Sequence, residues 1–265
     1  LPYRIEEFAL RIARFSLDDE VDFGVVDGDE VAPITGHPFG PFTFTGYRYP
    51  LADVKLLAPV IPSKIVAVGK NYADHAAELG DGPQEAPDAP ILFLKPSTSV
   101  IGCREKIVLP RSSNRVDFEG ELAIVIGRLC KVVPIERVKD VVLGYTIAND
   151  VTARDQQQSD KQWMRSKSYD TFCPIGPWLE TAIDPSDLAI TTSLNGDVRQ
   201  HGTTKDMIFD IPTIVTYVSQ VMTLLPGDII LTGTPAGVAP MRDGDTVTVT
   251  IEGIGSLENR VVAGD

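Results

Sequence analysis

The residues whose types and spacing best suit chemistry lie in the stretch "VDFEGELAIVIGRLCKVVPIERVKDVVLGYTIANDVTARD", from Val116 to Asp155. Glu119 and Glu121 run directly into the apolar segment "LAIVIG", and a second apolar segment, "VVLGYTIAND", ends at Asp150. Positions i and i+2 of a strand share a face. Glu119 and Glu121 therefore project together, while Leu122, Ile124 and Ile126 project to the other face, into a core. Two adjacent carboxylates raise each other's pKa unless a counter-charge stands between them. A hard divalent cation removes the conflict, and three carboxylates leave positions open on an octahedral ion, as a catalytic site requires. Mg²⁺ or Mn²⁺ suits an oxygen-only donor set, whereas zinc would draw His or Cys. The same Glu-x-Glu spacing also fits a solvated strand end whose carboxylates pair with Arg or Lys.

His75 and Glu78 are three apart on an expected helix and so share a face. A carboxylate hydrogen-bonded to an imidazole orients it and raises its basicity, which makes a general base for water. An ordinary pair on a surface helix has the same spacing. The other two histidines, His37 and His201, fall in a Pro/Gly loop and a hairpin and are assigned no role. Arg154 and Gln157 share a helical face one turn after Asp150, and Lys167 falls in the polar segment "MRSKSYDTF", read as a loop. Cationic and amide donors there suit a substrate carboxylate. Salt bridging, with Arg154 holding the neighbouring carboxylates, fits equally. In "LTGTPAGV", Gly233 and Thr234 follow a strand and can offer backbone N–H groups and hydroxyls to an anion, or simply form a tight turn. The Gly-Lys-Ser/Thr ending of a phosphate-binding loop is missing, and no nucleophile elbow or dinucleotide fingerprint occurs.

The elements that must position these groups are mostly strands. Residues 1 to about 60 read as a small β-rich module. "ALRIARFS" alternates, "DFGVVDGDEVAPI" gives two strands joined at Asp27-Gly28, and "GHPFGPFTFTGYRYP" reads as a loop. "LLAPVIPSK" marks a boundary by its prolines. From residue 61, "IVAVG" is a strand and "NYADHAAELG" a short helix with Asn71 as N-cap and Gly80 as stop. "DGPQEAPDAP" is a loop with the character of a lid. "ILFLKP" and "KIVLP" are strands, and a polar helix starts at Thr152. "SLNGDVRQHG" is a hairpin about Asn195-Gly196. "IPTIVTYVSQVMTL" is the one long amphipathic helix, with Ile214, Val218 and Val221 at helical spacing and Pro212 in its first turn. "GDIILTGTPAGV" and "GDTVTVTIEGIGSLENRVV" supply the last strands.

The 265 residues, 43% hydrophobic and 23% charged, can bury a sizeable core in a main domain with a small accessory one. A formal net charge of −13 argues against nucleic acid or an anionic membrane as partner, but small anions can still bind at local cations. Three cysteines with no Cys-x-x-Cys spacing make a disulfide framework or thiolate zinc site a poor fit and suggest a reducing cytoplasm. No apolar run approaches the roughly 20 residues of a spanning helix. No charged-then-apolar leader opens the chain, and a start at Leu1 suggests that a few initial residues are missing.

Seven segments in order resemble the fumarylacetoacetate hydrolase family: "VGKNYADHAAELG", "ILFLKPSTSVIG", "DFEGELAIVIGR", "GYTIANDVTARDQQ", "RSKSYDTFCPIGPWL", "LNGDVRQHGTTKDMIF" and "GDIILTGTPAGVAPM". They cover about residues 61 to 262. The resemblance implies a mainly β (α+β) fold, a mixed β-roll with few helices. A small N-terminal β-rich domain (1–60) would precede a catalytic domain (61–265), assembled as a homodimer. It implies Glu119, Glu121 and Asp150 as ligands of Mg²⁺ or Mn²⁺, and His75, Glu78 and Lys167 as catalytic groups, the first two on a mobile lid. Gln157, Gly233 and Thr234 would meet the substrate, with Arg154 beside them. The activity implied is enolate chemistry on a small anionic 2-oxo acid, with acylpyruvate hydrolysis or oxaloacetate decarboxylation first. Isomerisation of 2-hydroxyhepta-2,4-diene-1,7-dioate in aromatic catabolism is the alternative, and a non-catalytic metal- or oxo-acid-binding relative the lesser one.

Overall fold

The computed structural model describes residues 9–78 and 87–264. The strand Gly120–Ile126 is buried at every position, because its two faces feed two cores. Leu122, Ile124 and Ile126 enter a cluster with Ile214, Val215 and Val218 of the helix Ile211–Val221. Ala123 and Val125 enter another with Ile65, Ala67, Ala148, Ile229 and Leu231. A strand covered on both faces reads as a continuous apolar run, and "LAIVI" is one.

Among the described residues, this strand lies inside a 13-stranded mixed sheet. It pairs antiparallel with Val142–Asn149 on one side and Ile229–Leu231 on the other. Beyond Ile229–Leu231 come Ile65–Gly69, parallel to it, and then the outer strand Ile91–Lys95. On the other side Val142–Asn149 leads to Cys173–Glu180, and Arg11–Leu17 pairs antiparallel with that strand through Arg11↔Glu180 and Ile12↔Leu179. The N-terminal strands Arg11–Leu17, Glu20–Asp27 and Glu30–Gly36 thus continue the same sheet outward. A second sheet of five strands contains the expected hairpin Ala189–Leu194 and Asp197–Thr203, turned at Asn195 and Gly196. Both turn residues have positive φ, as a type I′ turn demands. The fold is the expected one, mainly β with mixed sheets and few helices.

Several local expectations change. Asn71 does not cap the helix Ala73–Ala76; its buried amide donates to the carbonyls of Phe209 and Thr232 and accepts from the Phe209 N–H, a better use of a buried polar group than one helix N–H. "GHPFGPFTFTGYRYP" contains two short strands, Phe42–Phe44 and Tyr49–Pro50, where edge pairing with Glu30–Gly36 tolerates the prolines. In the helix Ile211–Val221, Asp210 caps by accepting from the Thr213 N–H, and Ile214 and Val218 are buried as expected. Val221 is exposed, because the helix ends there and Leu224 takes the next core position. Gly80 and most of the lid segment lie outside the described residues.

At Gly120 the two sheets come especially close. A Cβ there would stand 2.2 Å from Thr192 Oγ1 and 2.9 Å from Val249 Cγ1, both in the five-stranded sheet. Only glycine lets the backbone between Glu119 and Glu121 approach that sheet so closely. Gly120→Ala is expected to lower unfolding free energy by about 1–3 kcal/mol in a denaturant titration; an unchanged midpoint would show that the second sheet can yield.

Candidate active site

The carboxylates are assembled by strand alternation and register. Asp117, Glu119 and Glu121 occupy alternate positions leading into Gly120–Ile126. The pairing Gly120↔Asn149 sets Asp150 beside them, with the Asp150 N–H donating to the Glu119 carbonyl at 2.8 Å. Ligand oxygens of Glu119, Glu121 and Asp150 all lie within 4.8 Å of one another, and all three residues are buried. The expected triad is therefore brought together.

Three buried cations face it. Lys167 is in a short helix, Met164–Lys167, and not in a polar loop; it is only 2% exposed, enclosed with the Phe93 ring and two carboxylates against it. Its Nζ donates to Glu119 Oε2 at 2.8 Å and to Asp150 Oδ2 at 2.6 Å, and lies 5.1 Å from the Phe93 ring centre. Burial alone would lower its pKa, but Asp150 and Glu119 outweigh it and hold the ammonium protonated. Arg154 donates to Asp117 Oδ2 at 3.0 Å, to Glu119 Oε1 at 2.6 Å and to Gln157 Oε1 at 2.6 Å. It thus holds the neighbouring carboxylates while also lining the cavity. Lys95, ending the strand Ile91–Lys95, donates to Asp150 Oδ1 at 2.5 Å and to the Val151 carbonyl.

Burial would raise the Glu119 pKa, but Lys167 and Arg154 overcome it and hold this carboxyl well below the usual range. Glu121 is the opposite case. Its Oε2 accepts from the Gly233 N–H at 2.6 Å, and it has no ion pair among the described residues. Burial first, then Asp150 and Glu119, pushes its pKa well up. A buried carboxylate that close to two others, with no cation of its own, fits a hard divalent ion held by an all-oxygen set. The donor atoms Asn149 Nδ2 and Tyr72 OH are also buried without a hydrogen-bond partner.

The triad opens into a cavity of about 230 Å³ whose wall includes His75, Phe93, Gln157, Trp163, Gly233 and Thr234. His75 is buried, and desolvation lowers its pKa despite the pull of Glu119, so the imidazole is neutral. Its Nδ1 has no hydrogen-bond partner: Glu78 Oε2 is 3.6 Å away and accepts instead from the Gly237 N–H at 2.9 Å. The two residues are neighbours, but the pair is not closed. The Thr234 hydroxyl donates to the Gly120 carbonyl and accepts from Gln200, so its proton is committed within the protein. Gly233 adopts a left-handed φ of 98°, and a Cβ there would lie 2.8 Å from Asn71 Cβ.

Reading the sequence alone misses two charged residues at this site. Asp117 is fully buried between Arg115 and Arg154, and the signal for it was the alternation Asp-x-Glu-x-Glu. Lys95 had a fainter one, a lysine closing the apolar strand "ILFLKP".

Comparison with known proteins places the chain in context. The family model "Fumarylacetoacetate (FAA) hydrolase C-terminal" matches residues 64–262, and "Rv2993c-like, N-terminal" matches residues 10–59. Protein Rv2993c of Mycobacterium tuberculosis is 57% identical over 263 residues, 96% of this chain and 98% of that protein. A crystal structure of 2-hydroxyhepta-2,4-diene-1,7-dioate isomerase from Mycobacterium marinum superposes with a TM-score of 0.89 at 52% identity, covering 96% of this chain and 99% of the other. A maleylpyruvate hydrolase from Sphingobium sp. SYK-6, in complex with manganese(II) and pyruvate, superposes with a TM-score of 0.79 at 36% identity, covering 96% and 100%.

Two outcomes follow from the charge arrangement. Lys95→Met leaves Asp150 with only Lys167 and is expected to cost about 3 kcal/mol of stability; adding Asp150→Asn should recover much of that loss in a double-mutant cycle. Glu121, with its raised pKa, keeps a proton in the metal-free protein, so stability falls as pH rises from the ordinary carboxylate pKa through the raised one. A bound cation displaces that proton, so the rise in melting temperature on adding Mn²⁺ should be larger at about pH 8 than at about pH 5.5. Equal shifts would show Glu121 already ionised.

Proposed function

The chain belongs to the fumarylacetoacetate (FAA) hydrolase family, and on that premise we propose that it is a divalent-metal-dependent enzyme acting on small anionic 2-oxo acids through their enolates. The observation that carries this reading is the buried triad Glu119, Glu121 and Asp150, in which Glu121 lacks a cation of its own. Glu119, Glu121 and Asp150 would hold a Mg²⁺ or Mn²⁺ ion, which would supply Lewis-acid stabilisation for negative charge developing on a 2-oxo acid. The manganese and pyruvate bound by the Sphingobium hydrolase support both the ion and the substrate class.

The chain's own groups divide the remaining work. Lys167 stays protonated in the cavity wall and presents a fixed positive charge to an anionic substrate. Arg154 and Gln157 hold Glu119 and the adjoining wall in place, and Gly233 fixes Glu121 through its N–H. Phe93 and Trp163, with ring centres 5.5 Å apart, keep bulk water from one side. Neutral His75, with its Nδ1 unengaged, is suited to carry a proton to or from C3 of the substrate. Proton transfer at C3, hence isomerisation or tautomerisation, is the reaction this arrangement supports best, and the Mycobacterium marinum isomerase supports it.

Bond cleavage between C3 and C4 is the second reading. Glu78 lies 3.6 Å from His75 Nδ1, close enough for a modest side-chain movement to form the pair that would activate water for acylpyruvate hydrolysis. Oxaloacetate decarboxylation needs the same enolate without water attack. Cytoplasmic location and assembly as a homodimer belong to the proposal as well. The first rests on three free cysteines, and a sizing experiment tests the second. Division into units at residues 1–60 and 61–265 is likewise proposed, in keeping with the separate family matches.

A panel of acylpyruvates, oxaloacetate and 2-hydroxy-dienoates, with and without Mn²⁺, tests the reading. Metal-stimulated turnover is expected and should vanish in Glu119→Ala; its survival would remove Glu119 from the ligand set. His75→Ala should slow turnover by roughly 10²–10⁴-fold. Glu78→Gln separates the two reactions, because it should suppress hydrolysis and leave proton transfer nearly intact. Binding of Mn²⁺ and oxalate without turnover of any dicarbonyl would favour a non-catalytic relative.

A further inference from the structure

The strand Asp197–Thr203 of the five-stranded sheet is exposed or half-buried along its length except at Gln200, which is fully buried. Thr192 pairs with Gln200 and Ser193 with Val198, so Arg199 is an extra residue, a bulge of the kind that re-aims a neighbouring side chain. The Gln200 carboxamide reaches across to the larger sheet. Its Oε1 accepts from the Gly120 N–H at 2.9 Å, and its Nε2 donates to Thr234 Oγ1 and to the Pro235 carbonyl, both at 2.7 Å. The Gly120 N–H can only donate and the Pro235 carbonyl can only accept, so these partners fix which way the amide faces. Thr234 must then accept from Gln200 and pass its own proton to the Gly120 carbonyl, 2.8 Å away. The ring of bonds ties down both peptide units that flank Gly120, the one shared with Glu119 and the one shared with Glu121. Gln200 itself is not among the residues that line the cavity.

We propose that Gln200 is a positioning residue for the carboxylate triad: from the second sheet it sets the backbone between Glu119 and Glu121 and holds the Gly233 N–H against Glu121. This rests on the metal reading and deepens it, by naming what keeps the triad at the spacing an ion needs. Glu121 depends on that one N–H, at 2.6 Å, and Gly233 directly precedes Thr234, so what fixes Thr234 also fixes the donor. The contact between the strand and the turn leaves little slack. A Cβ at Gly202 would stand 2.7 Å from Pro235 Cβ, and one at Gly237 would stand 2.0 Å from the Arg199 carbonyl oxygen. Two backbones pressed together in this way, with one carboxamide bonded to both, make a rigid support for ligands that must hold their places without touching the ion themselves through that support.

Mn²⁺ binding to the full chain, followed by calorimetric titration, tests this apart from catalysis. Gln200→Met removes the three hydrogen bonds at similar volume and should weaken Mn²⁺ binding by roughly 10–100-fold. In the metal-free variant the Gly233 N–H should also exchange with solvent faster than in wild type. Asn259 supplies the control for a merely structural role. It is a buried carboxamide of the same sheet, donating to the Gly102 and Glu105 carbonyls at 2.9 Å. Asn259→Leu should lower the melting temperature yet leave Mn²⁺ affinity within twofold of wild type. Thr234→Val breaks the ring and should weaken Mn²⁺ binding, whereas Thr234→Ser keeps the hydroxyl and should bind as wild type does; this pair decides the matter if Gln200→Met does not fold. Mn²⁺ affinity within twofold of wild type in Gln200→Met, or in Thr234→Val where that variant must stand in, would overturn the assignment, as would an equal loss in Asn259→Leu. A wild type that binds no Mn²⁺ would remove the metal reading together with this one, whereas wild-type binding that the variants leave unchanged would remove this one alone.

Discussion

Everything in this protein is arranged around four carboxylates taken out of water at the adjoining ends of two antiparallel strands. Burying one ionised carboxylate is costly, and burying four within one site is tolerated only with matching cations. Lys95, Arg154 and Lys167 provide three, each through direct contact with Asp150, Glu119 or Asp117. Glu121 is left with a backbone N–H. Such a cluster is a poor way to stabilise a fold, since an apolar core of the same volume would serve as well or better. Its persistence points to binding.

The two sheets follow from that constraint. Glu121 and Asp150 reach each other because Gly120–Ile126 and Val142–Asn149 are neighbours in fixed antiparallel register, and a one-residue slip would turn the glutamates to the opposite face. Register is secured by the two apolar clusters that cover both faces of Gly120–Ile126 and by the close approach of Gly120 to the second sheet. Short helices then bring Arg154 and Lys167 to the strand ends.

The cations differ in what they can do. Lys95 pairs with Asp150 and is not among the residues that line the cavity. Lys167 lies in the cavity wall and bridges Glu119 and Asp150, where an incoming anion can meet it. His75, in the cavity wall, has its pKa lowered by burial and so is a neutral imidazole. Fixed positive charges, a carboxylate triad and a neutral imidazole around one cavity suit the proposed proton transfer on an anionic substrate.

Much of this was legible in the chain. Period-two alternation placed Glu119 and Glu121 on one face and Leu122, Ile124 and Ile126 on the other, because strand geometry is local. Asn195-Gly196 announced its hairpin for the same reason: two residues with positive φ are a local requirement. The order of motifs identified the family. What the sequence could not decide were the contacts between residues far apart along it. Asn71 looked like a helix cap until Phe209 and Thr232 claimed its amide. Lys167 looked like part of a polar loop until Phe93 and two carboxylates enclosed it. Val221 fitted the helical stripe but fell beyond the reach of the core. Lys95 and Asp117 gained their meaning only when folding brought Asp150 and Arg154 to them. Local sterics and periodicity determine faces and turns. Only tertiary packing decides which buried charge meets which, because the cost of an unpaired charge depends on every group the fold brings within reach.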